Sequence, residues 1–189
     1  MTPFEYLLLF AAVILGLAIC DLAVSVHRLL AAGARVKWDW LAPLAAVVAF
    51  LKIVTQWWTW YGAKQLATGM TFEMFLGVLV STVLLFLVAA EALPDEIGGE
   101  AIDLAAYYAS ASRRFWLLFT IQWVLGTGVS IWVQVAVTRA HLDLMTPVWL
   151  VAPVAISLVL VRNRWWHTIG LLGFTAVYLW QFFGQSLAG

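Results

Sequence analysis

Residues 40–60 read WLAPLAAVVAFLKIVTQWWTW. An α-helix needs about 20 mostly apolar residues to cross the hydrocarbon core of a bilayer, and this stretch meets that length. Its one charge, Lys52, falls near the middle. Five more stretches have the same character, at residues 4–26, 72–93, 115–138, 145–161 and 168–187. The fifth is the shortest. Only a short polar segment, Arg162-Asn163-Arg164-Trp165-Trp166, precedes the sixth, so these two read as a tight antiparallel hairpin. The pattern predicts an all-α polytopic bundle of six transmembrane helices, a single integral membrane domain over residues 1–189.

Composition agrees with that reading. The 189 residues are 65% hydrophobic and 11% charged, with a mean hydropathy of +0.97. A soluble domain averages about 45–50% apolar and about 25% charged. A soluble fold could not hide so much apolar surface, whereas lipid accommodates it. The formal net charge is zero, which gives no field for nucleic acid. The single cysteine, Cys20, lies inside an apolar run and cannot form an intrachain disulfide. Residues 1–20 lack the basic n-region of a secretory signal, and the first Lys or Arg is Arg28, so the segment is expected to be a retained first helix.

Loop charge sets orientation. Arg28, Arg35 and Lys37 follow helix one, Arg113 and Arg114 follow helix three, and Arg162 and Arg164 follow helix five. These seven basic residues face one side, against Lys64 and Arg139 on the other. The bias puts the seven-charge side in the cytoplasm and both termini outside. Trp38, Trp40, Trp60, Trp116, Trp149, Trp165 and Trp166 fall near predicted helix ends, where aromatic belts form. The longest loop, residues 94–114, begins with an acidic turn. From Ala101 it turns helical, with Leu104, Tyr107, Tyr108, Ala111 and Phe115 on one stripe. Two readings fit that stripe: a short interfacial helix between helices three and four, or an early start to helix four.

Polar groups inside the spans carry the functional information. An ionisable side chain there costs on the order of 2.5–3.5 kcal/mol on insertion scales and usually faces the interior with a partner. Three qualify: Asp21, Lys52 and Glu91. Asp21 shares a face with Ser25 and Arg28. It reads either as an anchor paired with Arg28 or as an interior acid facing a solute path. Lys52 shares a face with Ala45, Ala49 and Gln56, which points it inward, and Asp21 is its candidate partner in a dry interior. Glu91 lies one turn from the end of helix three and is expected at the interface. Helix four carries Gln122, Gly126, Ser130, Gln134 and Thr138 at four-residue spacing, a ridge suited to packing against a neighbour or to lining a hydrated path. Ala12, Gly16 and Cys20 make a small-residue ridge on helix one, which predicts close packing and a homo-oligomer. The candidate pathway or buried network is therefore Asp21, Lys52, Gln56, Glu91, Gln122, Ser130 and Gln134.

Several chemistries lack their residues. His27, His141 and His167 fall in loops or at helix ends, so no intramembrane pair is placed for haem. No HExxH, Cys/His cluster or glycine-rich phosphate loop occurs. No catalytic residue, cofactor or metal is expected, and an enzyme is disfavoured.

The opening Phe4-Glu5-Tyr6 with Ile14-Leu15-Gly16-Leu17, the Trp57-Trp58 pair and Leu93-Pro94-Asp95-Glu96 together carry a resemblance. Over its first half to two-thirds the chain resembles a group of small uncharacterised bacterial inner-membrane proteins. That resemblance implies a bacterial plasma membrane and no assigned activity. Two functions are expected to compete. One is a small-solute or ion pathway, by oligomerisation or as a compact transporter. The other is a non-transporting module, such as an accessory subunit or a lipid- or partner-binding sensor. The partners are the lipid bilayer, further copies of the chain and a small solute or ion.

Overall fold

The computed structural model describes residues 3–62, 71–95, 101–133 and 150–182. Within them the chain is all-α, with six α-helices: α1 (Pro3–Ala32), α2 (Leu41–Gly62), α3 (Phe72–Ala90), α4 (Leu104–Val133), α5 (Val151–Leu160) and α6 (Arg164–Phe182). A 3-10 turn at Gly33–Arg35 and two short strands, β1 (Val36–Lys37) and β2 (Ile102–Asp103), complete the described elements. Four segments are long and apolar enough to cross a membrane: Phe4–Arg35, Leu41–Tyr61, Phe72–Ala90 and Leu104–Trp132. Of the predicted fifth span, the described residues form the helical turns Val151–Leu160.

Side-chain caps set several helix starts. Asp39 Oδ1 accepts from Leu41 N at 3.0 Å before α2. Thr71 Oγ1 accepts from Met74 N at 3.4 Å before α3. Asp103 Oδ1 accepts from Ala105 N and Ala106 N at 2.9 and 3.1 Å before α4. Asn163 Oδ1 accepts from Trp165 N at 2.9 Å in the first turn of α6. Each satisfies an amide that the helix itself leaves without a partner. Pro43 sits in the first turn of α2, where its missing N–H costs nothing. α1 ends where Gly33 adopts a φ of 54°, a left-handed conformation that glycine reaches without strain.

α3 packs against α1 and α4, α4 against α5, and α2 against α6, with α2 also touching α1, α3 and α4. The core runs through Leu15 and Ala18 of α1, Ala45, Ala49 and Ile53 of α2, Leu85 and Val88 of α3, Phe115, Trp116 and Phe119 of α4, and Leu171 and Phe174 of α6. The outer surface is apolar as well. Phe10, Val13, Leu17, Val80, Val83, Ile121, Val124 and Leu172 are all exposed, as lipid-facing residues would be.

Three loops predicted on one side meet at one end of the bundle, here called the basic end. β1 pairs in parallel with β2, Val36 opposite Ile102 and Lys37 opposite Asp103, which joins the α1–α2 and α3–α4 connections. Arg164 pairs with Asp39, joining the α5–α6 turn to the α1–α2 connection. Arg28 Nη1 donates to Asp95 O at 2.6 Å.

Of the two readings of the 104–115 stripe, the described residues bear out the early start of helix four, and one further expectation is corrected. α4 is one 30-residue helix from Leu104, about 45 Å long at ~1.5 Å per residue. Its amphipathic stripe packs inward: Leu104, Tyr108, Ala111 and Phe115 are buried. Asp103 caps this early start. Trp116, read as a belt residue, is instead fully buried in the core. The early start sets it three turns inside the helix rather than at its end.

Candidate functional site

The middle of the bundle holds a cluster of polar side chains from three helices. Lys52 stands halfway along α2, Ser81 halfway along α3, and Gln122 in the second half of α4. Lys52 Nζ donates to Gln56 Oε1 at 3.2 Å. Gln122 Nε2 donates to the same Gln56 oxygen at 3.3 Å and to Ser81 Oγ at 3.2 Å. All four residues are buried, Lys52 at 9% exposure and Gln122 at 0%. Gly126 lets α4 come this close. A Cβ there would meet Ser81 Oγ at 3.2 Å, Gln122 Nε2 at 3.4 Å and Gln56 Oε1 at 3.7 Å.

The lysine fixes the direction of every bond in the cluster. An ammonium group only donates, so Gln56 must turn its oxygen toward Lys52. That oxygen obliges Gln122 to present its NH₂, and Ser81 then accepts. Reversing either amide would set like groups against each other. The arrangement leaves one acceptor over: Gln122 Oε1 is buried without a hydrogen-bond partner. It also leaves donors over. Two of the three ammonium N–H groups have no acceptor among the described residues.

No carboxylate pairs with Lys52 among the described residues. Asp39, Glu91 and Asp103 are taken by Arg164, Arg114 and Lys37. The expected Asp21–Lys52 contact is not formed. Asp21 is half-buried toward the basic end, where Asp95 and Arg28 are the charges that act on it, and it makes no ion pair among the described residues. The reason is register: α1 runs on to Ala32 rather than ending at Val26, and its polar end leans on Asp95 through Arg28. Glu91 caps the end of α3, pairs with Arg114 Nε at 3.0 Å and accepts at its backbone oxygen from Tyr107 OH at 3.3 Å. It belongs to the basic end. Ser130 is half-buried two turns beyond Gln122 on the same ridge. Gln134 lies outside the described residues.

Of the predicted residues, the fold therefore joins Lys52, Gln56 and Gln122 and separates Asp21 and Glu91 from them. Ser81 is the member that sequence reading missed. Its signal was available: Ser81-Thr82 is a polar pair in the otherwise apolar centre of residues 72–93. The ridge on α1 is open at two of its three residues: Gly16 and Cys20 are exposed, Ala12 is half-buried, and a Cβ on Gly16 would meet nothing within 4 Å.

A second buried chain joins the starts of α4 and α6 to the end of α5. Trp116 Nε1 donates to Tyr108 OH at 3.1 Å, and Tyr108 OH lies 2.9 Å from His167 Nδ1. His167 Nε2 lies 2.9 Å from Val161 O. A carbonyl only accepts, so Nε2 carries the imidazole proton, and Nδ1 accepts from Tyr108. The ring packs edge-on against Tyr108 and near Trp116, within an aromatic layer completed by Phe119 and Phe174. With each nitrogen satisfied, His167 serves as a joint between helices. Among the described residues no group of three or more His, Cys, Asp or Glu is placed to hold a metal ion.

No family model, curated protein or solved structure matches this chain.

Proposed function

We propose that this protein is a six-span integral protein of the bacterial plasma membrane that forms a small-solute or ion pathway through its bundle. Lys52, Gln56, Ser81 and Gln122 form the polar point of that pathway. The observation that carries the reading is the lysine itself. It sits at mid-helix, is buried, and its bond is to a neutral amide rather than a carboxylate. A charge so placed is expensive in hydrocarbon and marks a functional position by default. Further copies of the chain complete the pathway, docked along the α1 ridge of half-buried Ala12 and exposed Gly16 and Cys20. The seven-to-two basic bias places both termini outside the cytoplasm. A reporter fused after Gly189 should therefore report the periplasmic side, and a cytoplasmic signal overturns the six-span count.

The second reading is a non-transporting module, such as an accessory subunit or a lipid- or partner-binding sensor. One observation favours it: every bond in the cluster joins the bundle's side chains to one another, as interhelical hydrogen bonds do where they only hold helices together. Flux decides between the two. Purified protein in liposomes should pass at least one small ion or solute faster than empty liposomes do. Lys52→Met should cut that flux by about tenfold or more, the scale of a unit charge acting at contact distance. A protein that passes nothing leaves the module.

A further inference from the structure

We propose that the Lys52 cluster is a binding site for a small monovalent anion, and that anions are what the pathway carries. The inference rests on the pathway reading above and names its substrate class. Three features of the cluster converge on it.

The first is charge. Lys52 is the one formal charge in the cluster, and its hydrogen-bond partner is a neutral amide. The carboxylates of the described residues lie elsewhere. Asp39, Glu91 and Asp103 are bonded to other cations. Asp21 and Asp95 belong to the basic end. Glu5 and Glu73 stand in the first turns of α1 and α3. A buried cation without an acid attracts a negative ligand, and low dielectric strengthens the attraction. One negative charge neutralises the site, whereas a divalent anion would replace one buried net charge with another.

The second is the donor balance. Two ammonium N–H groups are unengaged, and the Gln56 amide nitrogen donates to nothing among the described residues. Against these spare donors stands one spare acceptor, Gln122 Oε1. Donor excess suits a ligand that accepts. A metal cation would meet the ammonium group head-on, with a single free oxygen to hold it. The orphaned Gln122 oxygen suits a water or hydroxyl carried in with the anion, since a buried carbonyl gains from any donor.

The third is rigidity. The lysine sets the polarity of both amides, and Gly126 closes α4 onto them. The donors are therefore oriented before a ligand arrives, which lowers the ordering cost of binding.

The test uses the full chain in vesicles of phosphatidylethanolamine and phosphatidylglycerol. One set encloses a dye quenched by iodide, the other a potassium-sensitive dye. Iodide entry should exceed potassium entry by about tenfold or more, Lys52→Arg should keep that preference, and Lys52→Met should abolish the iodide entry. In detergent, sodium nitrate should raise the unfolding temperature relative to sodium gluconate at equal ionic strength, and Lys52→Met should remove the shift. Should Lys52→Met not fold, Lys52→Gln keeps a polar side chain and serves the same comparisons. Potassium passing in preference to iodide overturns the anion assignment and leaves the pathway standing. A Lys52-dependent nitrate shift with no flux of any ion keeps the anion site and removes the pathway. Neither flux nor shift overturns both.

Discussion

Lys37 and Lys52 belong to the same chain and obey opposite rules. At the basic end Lys37 is exposed, yet it has a carboxylate partner, Asp103, at 2.7 Å. In mid-bundle Lys52 is buried, yet its partner is an amide oxygen. Water solvates the first lysine well, so its ion pair adds little stability. The second is buried, so bulk water does not surround it as it does Lys37. If the charges were arranged for stability alone, the carboxylate would stand in the bundle and the amide at its end. The basic end is thus built as a clasp, many weak ties across three connections. The mid-bundle cluster is built around a charge that no acid among the described residues compensates.

Lys52→Met tests that contrast most severely. Removing one partner from a buried ion pair typically costs about 3–5 kcal/mol, because the other charge is stranded. Here no such charge stands among the described residues. Gln56 Oε1 keeps Gln122 as a donor, so no buried acceptor is orphaned. The unfolding temperature should hold or rise while flux falls by about tenfold or more. A large loss of stability would show that an acid does pair with Lys52, and the contrast between the two ends would collapse.

Much of this architecture can be read from the sequence, for a physical reason. Apolar runs of membrane length and clusters of Lys and Arg are local properties, and they located four apolar spans and the common end of three loops. Lys52, Gln56 and Gln122 were legible because helical periodicity puts each on an inward face. What could not be read is register between helices. Asp21 and Lys52 both belong to inward stripes, but nothing local says how far α1 slides along α2. Periodicity likewise could not say whether the 104–115 stripe faces lipid headgroups or the core, and the cap at Asp103 with the packing of Tyr108 decided it. In the sequence His167 reads as an end residue, because its partners lie 59 positions away at Tyr108 and across the hairpin at Val161.

That histidine chain sharpens the comparison from the other side, since it is the buried part of the basic end. Tyr108→Phe removes one hydroxyl and leaves two groups without partners, Trp116 Nε1–H and His167 Nδ1. Both residues are buried, and a stranded buried group costs about 1–3 kcal/mol. Thermal unfolding of Tyr108→Phe should show a loss in that range, with anion or solute flux in folded protein little changed. A neutral result would mean that water reaches this layer, and that the basic end is solvated further in than the packing indicates.

The smallest effect should come from the ion pair itself, and its sign follows from two displaced titrations. The hydrogen bond from Lys37, joined by the Ala106 amide, holds the Asp103 carboxyl below its ordinary value of 3.8. The same bond raises Lys37 above its ordinary 10.5. A depressed acid contributes stability that is complete above its unfolded value and is lost as pH falls through the lower folded one. A raised base contributes stability that is complete below its unfolded value and is lost as pH rises through the higher folded one. The pair therefore gives a plateau between about pH 5 and about pH 9, with a shallow fall at each side. Asp103 has a second duty that Lys37 lacks, capping α4 through Ala105 N and Ala106 N. Lys37→Ala should remove the alkaline fall and keep part of the acid one, because the cap persists. Asp103→Ala should remove both and lower the unfolding temperature further at every pH. Unfolding temperatures of the two variants across that range, each subtracted from the parent chain, isolate these terms from other titrating groups. Equal losses from both variants would mean that the charge pair, and not the cap, holds the start of α4, and the clasp would then be electrostatic after all.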